Sequence, residues 1–142
     1  MAISKASGHW DGAFKDGKGT MSPAHGSAVG FTAGTRFEGV PGSNPEEMIG
    51  AALAGCFSMA LAAGLGRANA TVGSIHTDAQ VKLEKVGDGF VITTIDLHCE
   101  AKVGGVDDAK FQEIAAATKK GCPVSKALGG VDIRLTATLS NI

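Results

Sequence analysis

The stretch that most constrains this chain is Asn44 to Arg67, NPEEMIGAALAGCFSMALAAGLGR, in which nothing between Met48 and Leu65 is ionisable except Cys56. Asn44 is a good N-cap, Pro45 suits the first helical position and Glu47 falls where a capping box closes, so a helix begins here. A helix that is apolar on every face must be buried on every face, which a single layer of strands cannot achieve. The run meets the length threshold for a membrane span, about 18 residues. It is nevertheless rich in Gly, Ala and Ser and poor in Leu and Ile, so its insertion energy is weak, and its flanks read as soluble amphipathic strands. No membrane association is expected. Gly50, Ala54, Ser58 and Ala62 recur every four residues as a small-residue ridge that admits close backbone approach, including that of a second copy of the helix.

A chain of 142 residues suits one domain, 1–142, with a modest core. Its net charge of -1, with Lys and Arg dispersed, offers no basic stripe, which argues against nucleic acid and anionic lipid as partners. The segment MAISKASGHW lacks the apolar core of a signal peptide, and three scattered cysteines are odd in number, so a reducing cytoplasmic setting is expected.

Residues 1–22 read as a hairpin turning at Asp16-Gly17-Lys18-Gly19, and Val29 to Phe37 as a strand that ends at Arg36-Phe37. After the long helix, Ile75, Thr77, Ala79, Val81 and Leu83 alternate with polar residues as a half-buried strand. Gly87-Asp88-Gly89 returns it, placing Val91, Thr93, Ile95, Leu97, Cys99, Ala101 and Val103 on one face. Asp107 or Asp108 caps a helix whose inner face is Phe111, Ile114, Ala115 and Thr118. Cys122-Pro123 opens a second, short helix, and Val131 to Leu139 alternate as a last strand. The sum is an α+β domain with antiparallel sheets around or against a long central apolar helix.

Three positions attract chemical attention. Cys56, inside an apolar helix, reads by itself as an inert packed thiol whose pKa burial raises. Cys122 stands where free N–H groups and a helix dipole favour a thiolate, although Ser would cap equally well. The two cysteines form a candidate disulfide pair, and Cys99 reads as core. A reactive Cys56 needs a nearby cation. Of Arg36, Arg67 and Arg134, the first is best placed, because Arg67 lies about 16 Å further along the helix and Arg134 faces outward. Glu46 either holds Arg36 in a bidentate pair or simply favours the helix dipole. Ten residues, about 15 Å of unbroken helix, separate Glu46 from Cys56. Both can meet one Arg36 only if the helix start is kinked or one of the pair comes from another subunit, which favours a site at a dimer interface. His9, His25, His76 and His98 show no ligand-like spacing with a cysteine, so no metal site is expected.

Taken together, His9-Trp10 with Gly12, Gly17-Lys18-Gly19-Thr20, Thr35-Arg36-Phe37-Glu38-Gly39, Asn44-Pro45-Glu46-Glu47, Ala54-Gly55-Cys56-Phe57-Ser58-Met59-Ala60-Leu61 and Gly121-Cys122-Pro123-Val124-Ser125 resemble the osmotically inducible protein C (OsmC) family, related to organic hydroperoxide resistance proteins. The likeness spans essentially the whole chain. It implies an intertwined homodimer with two central helices, six-stranded sheets and two sites at the interface. It also implies a cytoplasmic thiol peroxidase that reduces organic hydroperoxides, and hydrogen peroxide more weakly, in oxidative or osmotic stress defence. In that scheme Cys56 is peroxidatic and passes through a sulfenic acid, and Cys122 resolves it as an intramolecular disulfide. Arg36 activates the thiolate, Glu46 orients Arg36, a dithiol reductant such as a lipoylated protein completes the cycle, and no cofactor is required. The contrasting expectation is a redox-responsive dimer that signals to a partner protein. A structural or small-ligand-binding dimer in which neither cysteine reacts is the third.

Overall fold

In the first part of the chain, β1 (Ala6–Asp11) pairs antiparallel with β2 (Lys18–Pro23), which pairs with β3 (Val29–Phe31). This is a computed structural model that describes every residue from Met1 to Ile142, in two compact units, Met1–Met48 and Ile49–Ile142. Trp10, Gly19 and Phe31 lie opposite one another across the three strands. Gly19 occupies the middle because nothing larger fits: a Cβ there would sit 2.6 Å from the Phe31 ring and 2.7 Å from Trp10. The two rings therefore lean together at 5.5 Å between centroids.

The expected strand Val29 to Phe37 is half wrong. It stops at Phe31, and Ala33–Phe37 form a short helix, α1. Thr32 and Thr35 cause the change. Thr32 Oγ1 accepts from the Thr35 N–H at 3.1 Å, and the Thr32 N–H donates to Thr35 Oγ1 at 2.9 Å, so each satisfies the other's backbone. Arg36 thus projects from a helical turn rather than from a strand end.

Helix α2 (Pro45–Arg67) begins as expected, with Asn44 Oδ1 accepting from the Glu47 N–H at 2.9 Å. In the second unit its Leu53, Phe57, Leu61 and Leu65, four residues apart, are fully buried. They share a core with Ile95, Leu97, Cys99, Ala101 and Val103 of β5 and with Phe111 and Ala115 of α3. The helix is long and apolar enough to cross a membrane by length and composition, but its Leu53, Phe57, Leu61 and Leu65 are buried in this protein core.

The second sheet is ordered β4 (Thr71–Val86), β5 (Gly89–Gly104), β6 (Asp132–Ser140). β4 and β5 form the expected antiparallel hairpin. β6 departs from the antiparallel expectation: it runs parallel to β5, from Thr94 opposite Asp132 to Lys102 opposite Ser140. The physical reason is the intervening pair of helices, α3 (Asp108–Gly121) and α4 (Pro123–Ala127), which return the chain to the end where β5 began. The buried row of β5 matches the alternation from Ile95 to Val103. Val91 of the same row is 44% exposed, beyond a register shift at Lys82/Leu83 that precedes an exposed hairpin tip. Asp107 caps α3 by accepting from the Lys110 N–H at 2.8 Å.

Complete burial of α2 does not hold within one chain. The ridge of Gly50 and Ser58 faces β4: a Cβ on Gly50 would meet Val81 at 3.0 Å, and Ser58 Oγ lies 2.8 Å from Thr77 Oγ1. Another stripe, Ala51, Gly55, Met59, Ala63 and Gly66, stays exposed, with Met59 at 76%. The small-residue ridge therefore serves the sheet, and the uncovered face lies elsewhere on the helix.

Candidate active site

In the first unit, α1 aims Arg36 at the first turn of α2. Its Nε donates to Glu46 Oε1 at 3.1 Å and Oε2 at 3.2 Å, and its Nη2 donates to Oε1 at 2.7 Å. Glu46 is only 6% exposed, so the carboxylate is buried by meeting this fork of donors. The guanidinium also stacks over Phe37, 5.1 Å from the ring centroid. Beside it lies a cavity of about 400 Å³ lined by Trp10, Phe14, Phe31, Phe37 and Arg36, an apolar pocket with one cation in its wall. Such a pocket suits a molecule with an apolar body and a polar or anionic tip.

In the second unit, Cys56 and Cys122 are neighbours close enough to shift each other's acidity, although 65 residues separate them in sequence. Cys122 is the N-cap of α4. Its Sγ accepts from the Ser125 N–H at 3.4 Å and lies 3.1 Å from Ser125 Oγ. The Val124 N–H lies near enough to both thiols to favour their ionised forms. All three cysteines are free thiols.

The two thiols are driven apart in acidity. Burial pushes Cys56 up, and the neighbouring Cys122 pushes it further, against the opposing Val124 N–H. Burial also works to raise Cys122, but donors from Ser125, Cys56 and Val124 outweigh it and bring this thiol below its ordinary 9.0. The pair thus holds its first negative charge on Cys122, with Cys56 donating to it. Cys99 is pushed up by burial, with Thr77 opposing, and faces the core as expected.

This order of ionisation is measurable. Thiolate ultraviolet absorbance, followed against pH in a Cys99→Ala background, should show one step below 9.0 and a second above it. Cys56→Ala removes a donor that lowers Cys122, so the first step moves up. Cys122→Ser removes raising influences on Cys56 but leaves burial, the largest, so the second step moves only partway down. If the single step left in each variant stays where it was in the parent, the thiols do not interact.

The residues singled out in the sequence are thus gathered as two clusters, Arg36 with Glu46 and Cys56 with Cys122. Sequence reasoning missed Val124 and Ser125 as donors to sulfur, although their place just after an N-cap cysteine is the signal that could have found them. It also missed Trp10, Phe14 and Phe31 as pocket walls. No group of three or more His, Cys, Asp or Glu side chains forms a metal-binding cluster.

The chain belongs to the family described as OsmC-like protein, whose model matches residues 37–136. It is 51% identical over 128 residues to the peroxiredoxin OsmC of Escherichia coli (strain K12), covering 87% of this chain and 88% of that protein. It is 35% identical over 107 residues to the organic hydroperoxide resistance protein OhrB of Bacillus subtilis (strain 168), covering 69% of this chain and 71% of the relative. The crystal structure of Bacillus subtilis OhrB superposes with a TM-score of 0.72 over 94% of this chain and 98% of that one, at 27% identity. An OsmC-like protein from Mycoplasma pneumoniae has the same fold, with a TM-score of 0.76 over 97% of each chain at 16% identity.

Proposed function

We propose that this chain reduces organic hydroperoxides to alcohols, and hydrogen peroxide more weakly, in the cytoplasm as part of oxidative or osmotic stress defence. It is a cysteine-based peroxidase, the class to which its peroxiredoxin and hydroperoxide resistance relatives are assigned by name. The observation that carries the mechanism is that Cys56 and Cys122, far apart in sequence, are neighbours in the fold that shift each other's acidity. The Cys56 thiolate attacks the terminal peroxide oxygen, the O–O bond breaks, and the alkoxide takes a proton and leaves as alcohol. Cys122 then attacks the Cys56 sulfenic sulfur, expelling water and closing a disulfide. Its lowered pKa suits it to this step, since the thiolate is the attacking form. A dithiol reductant restores both thiols, and the cycle needs no bound cofactor or metal.

The first step requires charge on Cys56, which burial disfavours. A guanidinium supplies it without losing its own proton, and we assign that role to Arg36, oriented by Glu46. About 15 Å of helix lies between Glu46 and Cys56, so the proposed site joins Arg36 and Glu46 of one subunit to Cys56 and Cys122 of another in a homodimer. The uncovered stripe of α2 supports such an assembly. The aromatic pocket beside Arg36 then receives the apolar tail of the peroxide.

The test is peroxide consumption with a dithiol reductant. Burial of a cumyl group is worth about 2 kcal/mol or more, so kcat/KM for cumene hydroperoxide should exceed that for hydrogen peroxide roughly thirtyfold. Equal values would remove the pocket from substrate recognition. Single-turnover disulfide formation without sustained turnover would favour the redox-responsive dimer instead.

A further inference from the structure

The buried Ser125 hydroxyl makes its one side-chain hydrogen bond to Cys122. Its Oγ lies 3.1 Å from Cys122 Sγ, where Ser125 is 7% and Cys122 2% exposed. Between hydroxyl and thiol either atom can give the proton, but a Cys122 thiolate has none, so there the hydroxyl must donate. Burial works to raise the pKa of Cys122, and among the groups that outweigh it the Ser125 hydroxyl comes first, ahead of the Ser125 N–H. Cys56 is bonded to no hydroxyl, and burial, its largest influence, pushes it up against the Val124 N–H. Access separates the two sulfurs in the same direction. Cys122 belongs to the buried core, whereas Cys56 is only partly buried, beside the exposed Gly55 and near the exposed Met59 of α2. A thiolate that attacks a disulfide bonds to one sulfur and expels the other, and the sulfur with the lower thiol pKa leaves faster.

We propose that the reducing dithiol attacks Sγ of Cys56 rather than Cys122, and that the buried Ser125 hydroxyl stabilises Cys122 as the departing thiolate. The inference rests on the reading that the two cysteines form a disulfide in the catalytic cycle. The reductant thiolate bonds to Cys56 Sγ, the Cys56–Cys122 bond breaks, and its electron pair goes to Cys122 Sγ, which accepts the Ser125 O–H. The reductant's second thiolate then attacks the reductant sulfur held on Cys56. That mixed disulfide breaks, Cys56 leaves as a thiolate, and the reductant departs as its own disulfide, having given up two electrons. Ser125 keeps its proton throughout. The same hydroxyl thus serves at both ends of the disulfide's life, holding Cys122 charged before the bond closes and receiving its charge when the bond opens.

The disulfide is made with diamide as well as with peroxide, in a Cys99→Ala background, so that the step is tested even if the peroxidase reading fails. Excess 2-mercaptoethanol, which has no second thiol to close the cycle within one molecule, is added, the reaction is quenched early in acid, and the modified cysteine is identified by peptide mass spectrometry. The expected product is Cys56 bearing the reductant; the same adduct on Cys122 overturns the proposal. This measurement needs no change at Ser125, so it decides the direction of attack whatever the stability of a variant there. Ser125→Ala should be reduced about fivefold more slowly, because it loses a hydrogen bond to a sulfur that is becoming charged. The deficit should be the same at pH 7 and at about pH 9.5, since the disulfide itself carries no titrating proton. Reduction of Ser125→Ala at the parent rate would remove the hydroxyl from the step. A deficit confined to the lower pH would belong to protonation of Cys122 rather than to its departure, and would overturn the assignment equally. Failure of peroxide, but not diamide, to form the disulfide counts against the peroxidase alone.

Discussion

Cys56→Ser should abolish turnover of cumene hydroperoxide, with a loss of at least about a thousandfold, some 4 kcal/mol of barrier. The serine hydroxyl is nearly isosteric, but it does not ionise in the physiological range and does not form a stable oxygen adduct that a thiol can resolve. Cys122→Ser should behave differently. Its first turnover should proceed, because Cys56 remains, and then stop at a sulfenic acid that dimedone traps. After one equivalent of peroxide the wild type should lose two titratable thiols, Cys122→Ser one and Cys56→Ser none. Both positions lie among intact hydrogen-bond donors, so circular dichroism should find both variants folded. If all three proteins consume peroxide alike, the α2 cysteine is packing and the peroxidase mechanism is wrong.

Arg36→Ala should lower kcat/KM by about a hundredfold, roughly 2.7 kcal/mol, and move the alkaline shift of the pH–rate profile upward as Cys56 loses its cation. Arg36→Lys should rescue little, since an ammonium cannot reproduce the fork in which Nε and Nη2 both meet the Glu46 carboxylate. Glu46→Gln, keeping size but not charge, should cost about tenfold and also shift the profile, marking it as a positioning residue. The subunit question has a sharper reading. Co-expressed Arg36→Ala and Cys56→Ser chains, each inactive alone, should recover about a quarter of wild-type activity if each site draws on two subunits, because half the dimers are mixed and each mixed dimer holds one complete site. No recovery would place Arg36 and Cys56 of one chain in the same site and overturn the proposed arrangement.

How much of this was legible beforehand depends on the range of the interaction. Asn44 and Asp107 were readable as caps because a cap is a contact between near neighbours. The buried row from Ile95 to Val103 was readable because alternation is a local pattern. The Arg36 to Glu46 ion pair was one of two open readings of Glu46; the choice needed the fold, since the α1 turn sets where the guanidinium points. Alternating Val29 to Phe37 misled, because two threonines three residues apart favour a capped turn as readily as a strand.

The sequence by itself determined the secondary elements other than α1, the apolar character of α2, the cap position of Cys122 and the family, all of which rest on residue type and short spacing. Only the tertiary structure decided that Cys56 and Cys122 are neighbours, since 65 intervening residues carry no local record of a closed distance. It alone decided that β6 runs parallel to β5, which follows from the path of α3 and α4. It also decided which thiol carries the charge, because that depends on donors from Val124 and Ser125 converging on one sulfur more than on the other.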